Sequence, residues 1–350
     1  MQYSPCRFMS QTMVSIDMAG ENTFESALDA VAETVGEQTT EAFELLGNET
    51  RLAILLTLWA AQEPGRPVSD AEDVVVSFSE LRERLGRPDS GQFNYHLTKL
   101  VGQFVEQSNE GYTLTPAADQ ILHTVFAGAL TDPPSFDGEP IDAGCPQCGA
   151  PTVIDYNDGM LTQRCTSCEG IFRGPDLPPG TLQLQYRPPV GLTNRTPQEF
   201  FRKGNTRTRH QSISMAESVC PDCFGSVTAS LHLCETHDDA DGTVCVNCGQ
   251  RWDTQWIMVC DICKFDIEIP GFAPIFTETG VRAFYYEHGR DHDALYDAGA
   301  WDMLFDPIEA VEVTAKDPVE LRVTVDLEGD RLTVTLDADA TVIEVLASKS

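Results

Sequence analysis

Apolar residues in the first third of the chain recur at helical spacing. In EAFELLGNETRLAILLTLW, Phe43, Leu46, Leu52, Leu55, Leu56 and Trp59 fall on apolar faces around a break at Gly47-Asn48. This pattern predicts two helices, with Asn48 as N-cap of the second and Glu49 at its positive end. SFSELRERLG predicts a short helix capped by Ser79, with Leu81 and Leu85 inward and Gly86 as the stop. RPDSGQFNYHLTKL opens another at Asp89 or Ser90, where Phe93, Leu97 and Leu100 make a stripe. FVEQSNEGYTLT then reads as two strands around Asn109-Glu110-Gly111, and TPAADQIL restarts a helix at Thr115-Pro116.

The pattern changes after residue 130. TDPPSFDGEP is rich in Pro, Gly and Asp and reads as a linker over 131–142. Paired cysteines with short strand patterns follow, giving a first ribbon over 143–180, a basic helical connector over 181–217 and a double metal module over 218–270. The last region, 271–350, ends in VEVTA, ELRVTVDL, RLTVTLD and TVIEVL, whose period-two alternation predicts β-hairpins with one buried face. The fold class expected is α+β: a helical N-terminal domain over 23–130, small metal-bearing modules and a small antiparallel C-terminal sheet. Residues 1–22 carry no folding pattern, and Met13 or Met18 can serve as the start.

Helix, helix, short turn, helix, hairpin, helix is the order of a winged helix-turn-helix. LGNETRLAILLTL and SGQFNYHLTKLV resemble the first core helix and the recognition helix of ArsR-type transcriptional regulators, over roughly residues 40–125. The resemblance implies a homodimer that reads a pseudo-palindromic site in double-stranded DNA, one recognition helix per major groove. Ser90, Gln92, Asn94, Tyr95 and Lys99 lie off the apolar stripe; Gln92 and Asn94 suit adenine edges, while Lys99, Arg84 and Arg87 can reach phosphates. His96, beside Leu97, is expected to pack inward. The order of winged helix, two CxxC-rich segments and β-rich tail is also similar to a group of haloarchaeal regulators.

Charge bears on that reading. The chain has 23 Lys+Arg against 55 Asp+Glu, a net −32, with a pI near 4.3. Acidic residues are dispersed and lysines scarce, the balance of a protein from a salt-accumulating halophile. There the screening length falls to roughly 3 Å and self-repulsion is largely lost. From Glu80 to Leu100 the balance turns positive, with Arg82, Arg84, Arg87 and Lys99 against Glu80, Glu83 and Asp89. RTPQEFFRKGNTRTRHQSISMAE is the most basic stretch: Arg195, Arg202, Lys203, Arg207 and Arg209 are candidates for phosphate or partner contact, and Thr196-Pro197 with Glu199 reads as a capping box. No apolar run is long enough to cross a bilayer and no secretion signal is read, so a cytoplasmic location is expected.

Twelve cysteines in such a compartment argue for metal rather than disulfides. Cys145/Cys148 and Cys165/Cys168, two C-x-x-C pairs sixteen residues apart, predict a zinc ribbon. Four thiolates close a tetrahedron around one ion, a better match to these knuckles than an iron–sulfur cluster. Cys220/Cys223, Cys245/Cys248 and Cys260/Cys263 make one and a half sites, and CETH supplies the missing half as a C-x-x-H knuckle. Two arrangements are open. The nested one joins Cys220, Cys223, Cys260 and Cys263, with Cys234, His237, Cys245 and Cys248 inside. The interleaved one joins Cys220/Cys223 to Cys245/Cys248 and Cys234/His237 to Cys260/Cys263. Either gives three structural Zn2+ per chain, leaving only Cys6 outside. His232 reads as an ordinary strand side chain.

No catalytic motif is found, so no enzyme is expected. In AFYYEHGRDHD, His288 and His292 lack a third metal ligand; Phe284, Tyr285 and Tyr286 are expected to pack beneath the final sheet, and the segment is a candidate effector pocket. The function expected is transcriptional regulation through operator DNA. Two alternatives stay open: an adaptor that docks its zinc ribbons on the transcription apparatus, and a zinc- or redox-responsive switch.

Overall fold

The structure is a computed structural model that describes residues 37–62, 75–86, 90–128, 134–238 and 244–349. It divides into two compact units, Met1–Leu130 and Thr131–Ser350. The expectations for the N-terminal tail, for Cys6, Arg87 and Asp89, and for the start of the 131–142 linker fall outside the described residues.

In the first unit the order is α1 (Glu37–Leu46), α2 (Glu49–Ala61), α3 (Phe78–Arg84), α4 (Ser90–Leu100), β1 (Val105–Gln107), β2 (Tyr112–Leu114) and α5 (Pro116–Phe126). Asn48 caps α2, its side chain accepting from the Thr50 and Arg51 amides. Thr115 caps α5 with Pro116 in the first turn. The cap of α3 is Ser77, not Ser79: its hydroxyl accepts from the Glu80 amide at 3.3 Å. A serine two residues earlier lets Phe78 enter the helix and reach Phe93 edge-on, ring centroids 5.3 Å apart. Ile54, Leu55, Leu81, Phe93, Leu97, Leu100 and Leu122 are buried together, each contributing about 1.5–3 kcal/mol. Phe43, expected on the apolar face, is instead 71% exposed; Ala42 and Leu45 take the inward positions of α1. β1 and β2 pair antiparallel, and Val76 adds a bridge to Tyr112 on the far side. That bridge requires Gly111: a Cβ there would stand 2.4 Å from the Val76 carbonyl oxygen.

Among the described residues the second unit contains three antiparallel sheets. The first is β3 (Phe136–Gly144), β4 (Pro151–Asn157), β5 (Met160–Cys165) and β6 (Thr181–Tyr186). Much of the expected linker is therefore strand. The carboxylate of Asp155 on β4 accepts from the Gly138 amide at 2.7 Å and pairs with Arg164 on β5, so a Pro- and Gly-rich segment is held at the sheet edge, where Pro140 needs no donor. Asp158 and Gly159, both at positive φ, form the two-residue turn between β4 and β5. Strand β6 was hidden in the expected connector. After it comes α6 (Pro197–Ala216), started by Thr196 and Glu199 as a capping box. Buried Arg187 ties the sheet to α6, donating to the Gly204 carbonyl at 2.9 Å.

The second sheet is β7 (Val227–Leu233), β8 (Thr254–Cys260) and β9 (Asp266–Pro270). A 3-10 turn (Ala273–Thr277) and helices α7 (Thr279–Glu287), α8 (His292–Ala298) and α9 (Asp302–Phe305) lead to the last sheet, the meander β10 (Ile308–Lys316), β11 (Val319–Leu327), β12 (Asp330–Leu336) and β13 (Val342–Ser348). Leu321, Val323, Val325, Val334 and Leu336 face inward, as the alternation predicts, and bury against Trp256 and Met258 of β8, Phe272 and Tyr285. One core thus spans the expected boundary at 270/271. Phe284 and Tyr285 pack into it, whereas Tyr286 is 70% exposed. The fold is α+β with small antiparallel sheets. Among the described residues no helix is long and apolar enough to cross a membrane.

Candidate metal centres and the exposed face of helix α4

Eleven cysteines and His237 come together as three groups of four: Cys145, Cys148, Cys165 and Cys168; Cys220, Cys223, Cys260 and Cys263; and Cys234, His237, Cys245 and Cys248. Of the two arrangements for the eight later ligands, the geometry is the nested one. The cause lies in the sheet: β7 and β8 pair from Val227 with Cys260 to Leu233 with Thr254. That register puts Cys220/Cys223 and Cys260/Cys263 at one end and Cys234, His237 and Cys245/Cys248 at the other. Interleaving would need ligands from opposite ends of the hairpin.

Each group fits one tetrahedral ion. In the first, Cys145 and Cys168 Sγ are 3.6 Å apart and Cys148 and Cys165 Sγ 3.5 Å; in the second, Cys220 to Cys263 is 3.6 Å and Cys223 to Cys260 3.4 Å. A Zn–S bond of about 2.3 Å places tetrahedral sulfurs about 3.8 Å apart. All ligand atoms within each group lie within 4.8 Å of one another, too close to surround a cluster of several irons. The groups could hold metal ions, and the donor set of thiolates plus one imidazole suits zinc.

The knuckle turns supply more than the ligands. In the first group the Ser167 and Cys168 amides point at Cys165 Sγ, both at 3.3 Å. In the second, Ile262 and Cys263 do so at Cys260, and in the third Asp238 and Asn247 at Cys245, between 3.4 and 3.5 Å. Such donors favour the thiolate a metal requires. Burial opposes ionisation at Cys165 and Cys260, yet the amides and neighbouring thiols outweigh it, so these thiols fall to about 7 and about 6. Cys245 also falls to about 6, chiefly through the Asp238 amide. The C-x-x-C turns that begin at Cys145, Cys220, Cys245 and Cys260 close with the residue after the second cysteine donating back to the first cysteine's carbonyl, as Gly249 does to Cys245 at 2.9 Å. Gly249 has φ +71°, and a Cβ would meet the Arg173 carbonyl oxygen at 2.4 Å. The third group is thereby clasped to the first ribbon, where Arg173 donates back to Gly249 at 2.8 Å and Phe172 bridges Gln250.

His237 is oriented for ligation. Its Nδ1 lies 3.4 Å from Cys248 Sγ, while Nε2 lies 3.1 Å from the Arg251 carbonyl. A carbonyl accepts, so Nε2 carries the proton and Nδ1 presents its lone pair, the arrangement common to metal-bound histidines. His232 stays on β7, paired with Gln255.

On α4, Ser90, Gln92, Asn94, Tyr95 and Lys99 are exposed opposite buried Phe93, His96, Leu97 and Leu100. Lys99 Nζ sits 5.9 Å over the Tyr95 ring. Arg84, exposed on α3, pairs with Glu80 at 2.6 Å. In the basic stretch, Arg209 is spent on Asp293 at 3.0 Å and Asp297 at 3.2 Å, and Arg195 donates to the Gly191 carbonyl. Arg202, Lys203 and Arg207 remain exposed on α6. His288 ends α7 and lies 3.5 Å from Asp330, whereas His292 begins α8 beside Asp293, so the two histidines do not share a helix face.

The family described as Domain of unknown function (DUF7351) matches residues 142–342. A second, described as Domain of unknown function (DUF7347), matches residues 39–125. No curated protein and no solved structure matches the chain significantly.

Proposed function

The chain belongs to the DUF7351 family, and from that premise we propose that it is a sequence-specific DNA-binding transcriptional regulator of ArsR-like winged-helix type, stabilised by three structural zinc ions. The observation that carries this reading is α4. Its buried stripe anchors the helix while Gln92, Asn94, Tyr95 and Lys99 face solvent, side chains suited to base edges and phosphate. The order α1 to α5, with β1 and β2 between α4 and α5 and the Val76 bridge beside them, supports a recognition helix followed by a wing. A homodimer would present two such helices to a pseudo-palindromic site. Zinc held by four protein ligands acts as a structural clamp. Cys145, Cys165, Cys220, Cys245 and Cys260 are buried, and with four protein ligands each group leaves no place for a catalytic water. This supports a structural rather than a catalytic role for the metal.

Footprinting with the zinc-loaded protein in molar salt tests the reading. Discrete protected sites with dyad symmetry are expected; uniform or absent protection sinks it.

A second reading, an adaptor docking on the transcription apparatus, draws on one observation. Phe224 is 86% and Ile262 70% exposed, both on the knuckles of the Cys220 group. Phe224 holds φ +65°, a conformation unusual for a bulky residue. Capture of a polymerase subunit lost on Phe224→Ser, together with negative footprints, would favour the adaptor.

A further inference from the structure

A half-open cavity of ≈ 170 Å³ lies in the second unit, walled by β6, α6, β9, the Ala273–Thr277 turn and helices α8 and α9. Its apolar wall includes Ile213, Trp252, Phe276, Tyr296, Trp301 and Phe305. The size decides the class of occupant: a dry apolar cavity of about 150 Å³ in another protein takes up benzene.

Two residues of the same wall each carry a polar atom that lacks a partner among the described residues. His292 is 5% exposed and lies flat on Phe276, ring centroids 4.7 Å apart. Its Nδ1 is 2.9 Å from an Asp293 carboxylate oxygen, so Nδ1 carries the proton and Nε2 is left as an acceptor. Among the described residues Nε2 has no hydrogen-bond partner, and neither has the indole N–H of Trp301, which is 6% exposed. Buried polar atoms are normally paired. Both atoms are closed over as the structure stands, so a guest reaches either only when its ring turns toward the cavity; an unpaired acceptor and an unpaired donor are then the complement of a hydroxyl, which both donates and accepts.

Charge narrows the choice. Arg209, on the wall, is already bound by Asp293 and Asp297, and Glu268 is acidic and accepts from Gln250 at 2.9 Å. An anion entering here would be desolvated without a counter-charge.

We infer that this cavity is a binding site for an uncharged, single-ring aromatic compound carrying a hydroxyl group. The ring lies among the aromatic side chains and the hydroxyl pairs with His292 Nε2 or Trp301 Nε1. The site lies within the second unit, so it stands or falls independently of the DNA reading.

Calorimetric titration of the full zinc-loaded chain tests it, with phenol, toluene and benzoate as probes. Phenol is expected to bind saturably and about tenfold more tightly than toluene, the worth of one good hydrogen bond, with benzoate weaker still. His292→Phe keeps the ring against Phe276 and Trp301→Phe keeps most of the wall. At least one of them should abolish the preference for phenol over toluene while toluene still binds. The wild-type ranking needs no variant to fold. No phenol binding, toluene or benzoate binding as well as phenol, or a preference that survives both variants overturns the inference.

Discussion

Between residues 37 and 128 the chain has no cysteine, and its helices are ordered by a shared apolar cluster built on Ile54, Leu81, Phe93 and Leu97. Between residues 134 and 349 it carries eleven cysteines, and the ends of two sheets are tied by groups of thiols. At the first ribbon the contrast is sharp. Cys145 and Cys165 are themselves part of the local core there, beside buried Ile171 and Leu182. A sheet end with so little apolar area cannot offset the entropy of ordering its turns, so it needs a cross-link. Helices of ten or more residues with a full stripe do not.

The strongest test of this contrast removes the metal. A tight chelator should abolish hydrogen-exchange protection across β3–β9 and leave α2, α4 and α5 protected, because metal binding to such sites is itself folding free energy, about 10–16 kcal/mol in isolated zinc peptides. Equal loss in both units would break the comparison. The reciprocal experiment is Leu97→Ala, which leaves a cavity beneath α4. It should destabilise the first unit by about 2–5 kcal/mol in denaturant titrations without changing the zinc content.

Within the second unit the sites are separable. Cys234→Ser and His237→Ala should each lower the zinc content from about three to about two per chain, by metal analysis, because each breaks one closed group of four. His237→Ala also releases the Arg251 carbonyl. A fall to one or none would show that the clasp between Gly249 and Arg173 couples the third group to the first.

These centres were legible in sequence because ligand spacing is local. A C-x-x-C turn is four residues long, and even the C-x-x-H knuckle at Cys234 and His237 is one turn. The nesting was not fixed by spacing; it follows from the β7–β8 register, a long-range property. The helices and their caps were legible for the same local reason, except where two serines two residues apart, Ser77 and Ser79, both fit a cap. Strands β3 and β6 were hidden. Each owes its place to distant partners: Asp155 and Arg164 for β3, and β5 with α6 for β6. The aromatic cavity was the least visible, since its walls come from β6, α6, β9 and α8, segments far apart in the chain. His292 stands in a His- and Tyr-rich segment, but Phe276, on which it stacks, and Trp301 in the same wall carry no motif.

If the first unit is the DNA reader, its exposed face should be separable from its core. Gln92→Ala and Asn94→Ala should each cost about 1–3 kcal/mol in discrimination between cognate and altered sites. Lys99→Ala should weaken all sequences alike and reduce the salt slope by about one. Thermal midpoints should hardly move, because all three side chains are exposed. A large stability loss would place α4's outer face in the fold instead.

The smallest effect concerns a staple in the second unit that uses no metal. Asp155 is 8% exposed. Burial pushes its carboxyl up, but Arg164 and the Gly138 amide more than reverse this and hold it below the ordinary aspartate value. The folded value therefore lies beneath the unfolded one. Its contribution is complete above about pH 4 and is lost as the pH falls through the folded value. Asp155→Asn keeps an acceptor for Gly138 but removes the charge and one of the acceptors that Arg164 uses, so at pH 7 it should cost about 1 kcal/mol or more. The gap between wild type and variant should close in acid. Hydrogen exchange at Gly138 and its neighbours should rise in the variant while the zinc content holds at its wild-type value. That outcome would show that β3 is secured by its own ion pair; a loss of zinc along with it would show that the strand and the Cys145 knuckle it leads into are held as one element.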